Sequence, residues 1–213
     1  MCNVGLATIV SVGLMAGTVS AEPVTVAALG DSLTQGYGLP AEEGFTAQLS
    51  NWLTSNGADV TVINAGVSGD TTAGGLSRIA WTLTDDVDAL IVALGGNDLL
   101  RGIDPAVSRA NLDGILKVAR DKGLPILLIG MDAPANYGAD FEEAFDAMYP
   151  ALAQSYDTLY HPNFLGALAS QEDRAATLRD FMQRDGIHPN AKGVALIVED
   201  LGPEVLSLTQ QID

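Results

Sequence analysis

The sequence predicts an α/β protein built on a parallel sheet, and three observations support this prediction. Short apolar runs alternate with longer stretches whose apolar residues recur at helical spacing, which is typical of consecutive βαβ units. The run at residues 125–129 is apolar at nearly every position, as expected of a strand covered on both faces. With 213 residues, 47% of them apolar, and no internal repeat, the chain suits one domain with a large core.

The apolar runs predict five strands, the last of them a short edge strand, at residues 24–29, 60–63, 89–94, 125–129 and 158–160. Helical periodicity predicts helices over residues 45–53, 76–83, 107–119, 141–156 and 191–208. Asn56-Gly57 marks the end of the first helix, and Asp104-Pro105 marks the start of the third as a cap followed by proline. We expect Val107 to lie on the buried stripe of that third helix. We also expect the last helix to break near Gly202-Pro203.

The charge balance narrows the possible partners. Only 10 Lys and Arg oppose 27 Asp and Glu, which gives a net charge of −17. Because nucleic-acid binding needs cationic side chains to replace phosphate counterions, we expect no nucleic-acid partner. Polyanionic substrates are repelled at long range, whereas neutral and zwitterionic ones are not.

Residues 1–21 are typical of a secretory signal peptide. They carry no charge, contain an apolar stretch over residues 6–15, and end in the small residues Val19-Ser20-Ala21. We therefore predict a signal peptide at 1–21 and a mature domain at 22–213, located in the periplasm or secreted. The alternative is that this segment forms a first strand or helix of the fold. The segment is too short for a comfortable membrane span, so we expect no stable membrane anchor.

Small polar residues follow the first three strands. Ser32 follows the first, Gly66 the second and Asn97 the third. Parallel strands end at one edge of the sheet, and they come close together where the strand order reverses, which is where such sheets bind ligands. Asp31 is expected to anchor the turn at Ser32 by accepting hydrogen bonds from nearby amides.

His188 is the candidate base for a serine nucleophile. Asp185 precedes it by three residues, and Gly186 lets the chain turn so that the carboxylate meets the imidazole. A serine near neutral pH needs such a base, and the base needs a third group to fix its tautomer. The alternative is a loop histidine that only helps to cap the following helix, for which Asn190 is the expected cap.

Other polar residues suggest no second chemistry. His161 is expected to be packed or to face solvent rather than to act as a base. Four aspartates near the strand ends and the last loop lack the spacing with histidine that metal sites show, so we predict no metal: Asp31, Asp70, Asp98 and Asp185. The sequence has no glycine-rich phosphate loop, and we predict no cofactor.

Four segments resemble, in order, the signature blocks of the SGNH (GDSL) hydrolase family: Gly30-Asp31-Ser32-Leu33, residues 64–71 with Gly66, Gly95-Gly96-Asn97-Asp98, and Asp185-Gly186-Ile187-His188-Pro189. Residues 133–138 further resemble the exported thioesterase I, arylesterase and lysophospholipase subgroup. The resemblance implies a three-layer α/β/α flavodoxin-like fold with a five-stranded parallel sheet. It also implies that Ser32 is the nucleophile, His188 the base and Asp185 its orienting acid, with an oxyanion hole made by Ser32, Gly66 and Asn97.

The resemblance also implies where a substrate binds. The loop over residues 132–138 closes over the acyl chain in the subgroup, and the candidate wall residues are Met131, Asn136, Tyr137, Phe181 and Met182. Apolar residues near a core are, however, usually only core. Asp132 stands where the subgroup often has a basic residue, which with the net charge argues against acyl-CoA as the natural substrate.

The sequence therefore predicts a monomeric serine hydrolase that cleaves acyl esters and thioesters through an acyl-enzyme. One alternative is a carbohydrate deacetylase. A second is a non-catalytic lipid- or carbohydrate-binding protein on the same fold, and a flavin-binding role is suggested by the fold alone.

Overall fold

The computed structural model describes residues 23–212, so the predicted signal peptide lies outside the described residues. Five strands form one parallel sheet in the order β2-β1-β3-β4-β5. Their bounds are Val24–Gly30 (β1), Val60–Gly66 (β2), Ala89–Ala93 (β3), Ile126–Ile129 (β4) and Leu159–His161 (β5). The prediction of five parallel strands with a short edge strand is confirmed.

Helices cover both faces of the sheet, which makes three layers. The helices are Ser32–Gln35 (α1), Phe45–Ser55 (α2), Thr72–Thr82 (α3), Gly96–Leu100 (α4), Pro105–Asp121 (α5), Ala139–Tyr156 (α6), Gly166–Ala169 (α7), Arg174–Phe181 (α8) and Ala191–Thr209 (α9). Within residues 23–212, no helix combines the length and the apolar character that crossing a bilayer requires.

Strand β1 shows how the two cores are separated. Its side chains alternate between the faces, as the period of a strand requires. Ala27 and Leu29 join the core under α3, α5 and α6, whereas Val26 and Ala28 join the core under α2 and α9. Because both faces are buried, every residue from Val26 to Gly30 is small or apolar.

The first three strands end level with one another. Gly30 at the end of β1 pairs with Gly66 of β2 on one side and with Ala93 of β3 on the other. The strand order reverses at β1, and the segments that leave β1 and β3 therefore start side by side at the carboxyl edge.

Two expectations about the helices are wrong. Val107 is half exposed, and Ser108 lies on the buried face of α5 in its place. Helix α9 continues through Pro203 without a break. An interior proline costs about 3 kcal/mol, but α9 buries an apolar stripe on both sides of it, which offsets that cost: Val198, Leu201, Val205 and Leu208.

Gly66 permits a close approach between β2 and α1. A Cβ on Gly66 would press against the backbone nitrogen of Gln35 and would lie 2.8 Å from the carbonyl oxygen of Asp31. Both are backbone atoms in the turn that carries Ser32, so they cannot move aside as a flexible side chain would. The lack of a side chain at Gly66 therefore determines where the first turn of α1 sits.

We expect Gly66→Ala to lower the free energy of unfolding by about 1–3 kcal/mol, because the added methyl group overpacks two backbone segments. Urea denaturation measures this change. Gly166→Ala is the matched control, since its Cβ would meet nothing closer than 3.6 Å. Equal stabilities for the two variants would contradict the packing constraint at Gly66.

Candidate active site

Ser32 is the first residue of α1, directly after the end of β1. Asp31 caps the helix, and its Oδ1 accepts a hydrogen bond from the amide of Leu33 at 3.0 Å. The prediction that Asp31 anchors this turn is confirmed. The short helix then ends at Gly36, whose φ of +84° favours glycine. This local geometry holds the Ser32 hydroxyl at the carboxyl edge of the sheet.

The loop between α8 and α9 brings a base to Ser32. His188 Nε2 lies 2.9 Å from Ser32 Oγ, and His188 Nδ1 lies 2.7 Å from Asp185 Oδ2. A carboxylate only accepts hydrogen bonds, so Nδ1 carries the proton and Nε2 accepts from the serine hydroxyl. The three side chains that the sequence selected thus form one hydrogen-bonded chain.

The same loop fixes Asp185 by its own backbone. Asp185 Oδ1 accepts hydrogen bonds from the amides of Ile187 and His188, each at 3.0 Å, and Gly186 takes a φ of +68°. Two backbone bonds close the loop: the Gln183 amide donates to the His188 carbonyl at 2.8 Å, and the Gly186 amide donates to the Gln183 carbonyl at 3.0 Å. The position of His188 is therefore fixed by hydrogen bonds to its backbone as well as by the hydrogen bond to its ring.

The site holds two carboxylates in different electrostatic states. The hydrogen bond from the His188 ring, assisted by the two backbone amides, lowers the pKa of Asp185 from 3.8 to about 2. Burial raises the pKa of Asp31 above 3.8, and the hydrogen bonds from Leu33 and Asn97 offset part of that rise. Asp185 therefore keeps its charge at acidic pH, whereas burial disfavours the charged form of Asp31.

Asn97 lies in the first turn of α4, beside Ser32. Its Nδ2 donates to Asp31 Oδ2 at 3.2 Å. A carboxamide has two N–H groups, so one bond to Asp31 orients the amide and leaves the second N–H to donate elsewhere. Asn97 and Ser32 line the same cleft.

The prediction that Gly66 contributes to an oxyanion hole is wrong. The Gly66 amide donates to Asn64 Oδ1 at 3.0 Å, and Gly66 does not line the cleft. Gly69 lines the cleft instead, together with Ser32 and Asn97. Within residues 23–212, neither the Gly69 amide nor the Ser32 amide donates to a protein acceptor. The segment at residues 64–71 contains both glycines, and only their positions in the fold distinguish the one that packs from the one that faces the cleft.

Arg78 on α3 ties the strand ends together and was not predicted. Its guanidinium donates to the carbonyls of Gly30 and Ala65, at 2.8 and 2.7 Å, and to Asp70 at 2.6 Å. One side chain thereby joins the turn that carries Ser32 to the loop that carries Gly69. No local sequence pattern indicates such a contact, because its partners lie up to 48 residues away.

Asp98 plays a comparable part behind Asn97. It is fully buried and accepts hydrogen bonds from the amide and hydroxyl of Thr72 and from the hydroxyl of Ser108. These bonds attach α4 to the first turns of α3 and α5. A buried carboxylate is stable only when every hydrogen bond to it is made, so these bonds fix the position of α4 relative to α3.

An apolar cleft of about 680 Å³ opens beside Ser32. Its walls come from α4, the loop after β4, and α7 with α8, and they are formed mainly by Leu99, Leu100, Met131, Leu165, Leu168, Leu178 and Met182. Of the five predicted wall residues, Met131 and Met182 line this cleft. Tyr137 lies outside it and donates its hydroxyl to the Leu99 carbonyl at 2.6 Å, while Phe181 packs on the core under α9 and Asn136 is exposed.

Tyr37 packs against the His188 ring at a tilt of 37°. The two ring centroids are 4.7 Å apart, and Gln183 Nε2 donates to the Tyr37 carbonyl at 2.7 Å. This contact was not predicted either. It restricts rotation of the imidazole, which the hydrogen bond to Asp185 restricts from the ring edge.

The second histidine has a structural environment. His161 is buried at the end of β5, and its ring nitrogens face Asp200 and Glu204 of α9 at 3.5 and 3.6 Å. The expectation that His161 is packed is confirmed. Among the described residues, no three His, Cys, Asp or Glu side chains are grouped so as to hold a metal ion.

A serine, a histidine and a carboxylate joined in this order beside free amide donors are the arrangement of a serine hydrolase. Here they stand at the carboxyl edge of a doubly wound sheet. The profile of the GDSL-like lipase/acylhydrolase family matches residues 28–196. The chain belongs to that family, and it is an ester hydrolase.

Known relatives agree with this assignment over nearly the whole chain. Esterase TesA of Pseudomonas aeruginosa is 38% identical, covering 90% of this chain and 92% of the relative. The Escherichia coli protein named thioesterase 1/protease 1/lysophospholipase L1 is 35% identical, covering 86% and 84%. The crystal structure of AlinE4, an SGNH-hydrolase family esterase, is 44% identical with a TM-score of 0.71, covering 88% of this chain and 97% of that one.

The lowered pKa of Asp185 predicts an acid-dependent loss of stability. Between about pH 4 and pH 2 the folded protein keeps this carboxylate charged, whereas the unfolded chain protonates it. Acidification through that window should therefore destabilise wild type more than Asp185→Asn. Urea unfolding of both proteins at several pH values measures the difference.

NMR titration of the Asp185 carboxyl carbon provides the direct control. Its midpoint should lie near 2 in wild type and move towards 3.8 in His188→Ala, because the imidazole supplies the largest part of the shift. A midpoint that does not move would assign the shift to the backbone amides alone.

Proposed function

We propose that this protein hydrolyses acyl esters and thioesters with Ser32 as the nucleophile, His188 as the general base and Asp185 as the acid that orients it. The observation that carries the proposal is the continuous chain of hydrogen bonds from Ser32 through His188 to Asp185, at 2.9 and 2.7 Å. A packed loop histidine would need neither bond. The alternative that His188 only helps to cap α9 has less support, since Asn190 caps that helix.

The geometry favours a two-step reaction. Ser32 Oγ attacks the carbonyl carbon while its proton passes to His188 Nε2, and Asp185 stabilises the imidazolium through Nδ1–H. The tetrahedral intermediate collapses when Nε2 returns the proton to the leaving alcohol or thiol, which leaves an acyl-enzyme. Water then loses a proton to Nε2, attacks the acyl carbonyl, and releases the carboxylic acid and the Ser32 hydroxyl.

Three donors are placed to stabilise the oxyanion. They are the backbone amides of Ser32 and Gly69 and the second N–H of the Asn97 carboxamide, and all three residues line the cleft. Losing one such donor typically costs about 3–4 kcal/mol of transition-state stabilisation. Gly69 replaces Gly66 in this proposal, because the Gly66 amide is bonded to Asn64.

The character of the cleft indicates that it binds the acyl chain of the substrate. Its walls are mostly aliphatic, and a chain of methylenes gains free energy by leaving water there. Cleavage of esters and thioesters also agrees with the names of two relatives, esterase TesA and thioesterase 1/protease 1/lysophospholipase L1. A carbohydrate acetylesterase would present more polar groups to its sugar, so this alternative has less support. The net charge and the exposed Asp132 disfavour acyl-CoA as the natural substrate.

We expect Ser32→Ala to lower kcat/KM by several orders of magnitude for every substrate in a panel of acyl esters from acetyl to palmitoyl, with lysophospholipid and acyl-CoA included. Wild type should prefer chains longer than acetyl. A fluorophosphonate probe should label wild type at Ser32 and leave the variant unlabelled.

Three outcomes of that panel would change the assignment. Retention of more than a few per cent of activity in Ser32→Ala would remove Ser32 from the mechanism. Cleavage of acetylated sugars without cleavage of butyryl or longer esters would favour the deacetylase. Absence of both hydrolysis and labelling in wild type would favour a binding protein.

We propose export to the periplasm or beyond, supported by the uncharged apolar segment at residues 1–21. Expression of the whole chain in a Gram-negative host, followed by fractionation and N-terminal sequencing, should recover a protein that begins at Glu22. Recovery of the uncleaved chain in the cytosol would contradict export. The monomeric state stays a prediction.

A further inference from the structure

The two oxyanion donors outside Ser32 belong to different segments, and one side chain connects these segments. Asn97 lies on α4, and Gly69 lies in the loop between β2 and α3. Arg101 follows α4 directly, and its Nη2 donates a hydrogen bond to the Gly69 carbonyl at 2.8 Å. The bond joins positions 32 residues apart in the chain.

Gly69 needs an external anchor because of its own conformation. Its φ is +84°, and it has no side chain to restrict rotation of its backbone. Gly69 is the third residue of a turn over residues 67–70, which the Asp70 amide closes by donating to the Val67 carbonyl at 3.0 Å. The Gly69 amide donates to no protein acceptor within residues 23–212, so the turn bond and the Arg101 bond both act on the peptide group that follows Gly69.

The backbone of Arg101 is itself fixed by hydrogen bonds to α4. Its amide caps the carboxyl end of α4 by donating to the carbonyls of Asn97 and Asp98 within that helix. Asp98 in turn holds Thr72, the first residue of α3, from the far side of the same loop. Helix α4 and the residue that caps it thus bind the segment around Gly69 at two points. Asp98 makes the buried contact, and Arg101 makes the exposed one.

We propose that Arg101 is a positioning residue for the oxyanion hole: its hydrogen bond to the Gly69 carbonyl sets the direction of the Gly69 amide relative to Asn97. The inference rests on the proposed function of the site. Because oxyanion donors act only in the transition state, a misdirected amide lowers kcat and leaves substrate binding nearly unchanged. Asp98 cannot test this idea, since its removal would leave buried donors unpaired, whereas Arg101 is exposed.

The test compares Arg101→Gln, Arg101→Lys and Arg101→Ala with Arg109→Gln. Arg109 is exposed on α5, away from the cleft lining, and its substitution changes the net charge as Arg101→Gln does. Steady-state kinetics with a p-nitrophenyl ester, urea unfolding, and the rate of phosphonylation by a p-nitrophenyl phosphonate are measured for each protein.

Arg101→Gln should lower kcat and the phosphonylation rate by about tenfold to a hundredfold, with KM changed by less than about twofold and stability unaltered. The kcat of Arg101→Lys should lie between those of wild type and Arg101→Gln, because an ammonium group keeps the charge but lacks the planar array of donors that a guanidinium has. Ethylguanidinium at millimolar concentration should restore part of kcat in Arg101→Ala, and Arg109→Gln should match wild type.

The proposal is overturned if Arg101→Gln keeps wild-type kcat, if Arg109→Gln loses as much, or if the loss falls on KM alone. A loss of kcat that accompanies lower stability and resists ethylguanidinium would also overturn it, since the bond would then be merely structural. Failure of the proposed function is a separate result: wild type would then show no hydrolysis that depends on Ser32.

Discussion

The shared level at which β1, β2 and β3 end is the constraint on which the site depends. Gly30 pairs with Gly66 and with Ala93, so three chain segments leave the sheet side by side. Arg78 maintains that level from outside by bonding the carbonyls of Gly30 and Ala65. A shift of one strand by a residue would turn its side chains to the opposite face, which both buried cores forbid. The positions of the nucleophile and of the oxyanion donors are therefore consequences of sheet register.

Charged side chains hold the strand ends and the site in place, although the protein has few basic residues. Of only ten lysines and arginines, Arg78 and Arg101 both bond backbone carbonyls at the carboxyl edge. The carboxylates divide the work differently. Asp185 holds His188 from the protein surface, where its charge is cheap to maintain, whereas Asp31 and Asp98 are buried and orient their neighbours through hydrogen bonds. The same residue type thus supplies an orienting charge in one place and fixed acceptors in two others.

The sequence was sufficient for the fold and for the reacting side chains, because both leave local patterns. Apolar runs identified the strands, and Asp185, Gly186 and His188 lie within four residues of one another. Gly69, Arg78 and Arg101 act through backbone groups of distant segments, and no local pattern marks such contacts. Gly66 was chosen because it follows a strand; its actual constraint is the backbone of α1 packed against it. The unbroken α9 shows the same limit, since burial along its length outweighs what Pro203 alone predicts.

Reaction and specificity are separated in this molecule by how their residues are held. Ser32 and Asn97 follow strand ends, His188 and Asp185 come from the loop between α8 and α9, and hydrogen bonds join these segments although they are far apart in sequence. The cleft walls come from aliphatic side chains that make none of these hydrogen bonds, on α4, on the loop after β4 and around α7 and α8. Contacts of an acyl chain with such walls are equally strong in the ground state and the transition state, so wall substitutions change which chain binds more than how fast a bound ester reacts. Changes at the strand ends have the opposite effect, because there a displacement of a donor acts on the developing charge itself.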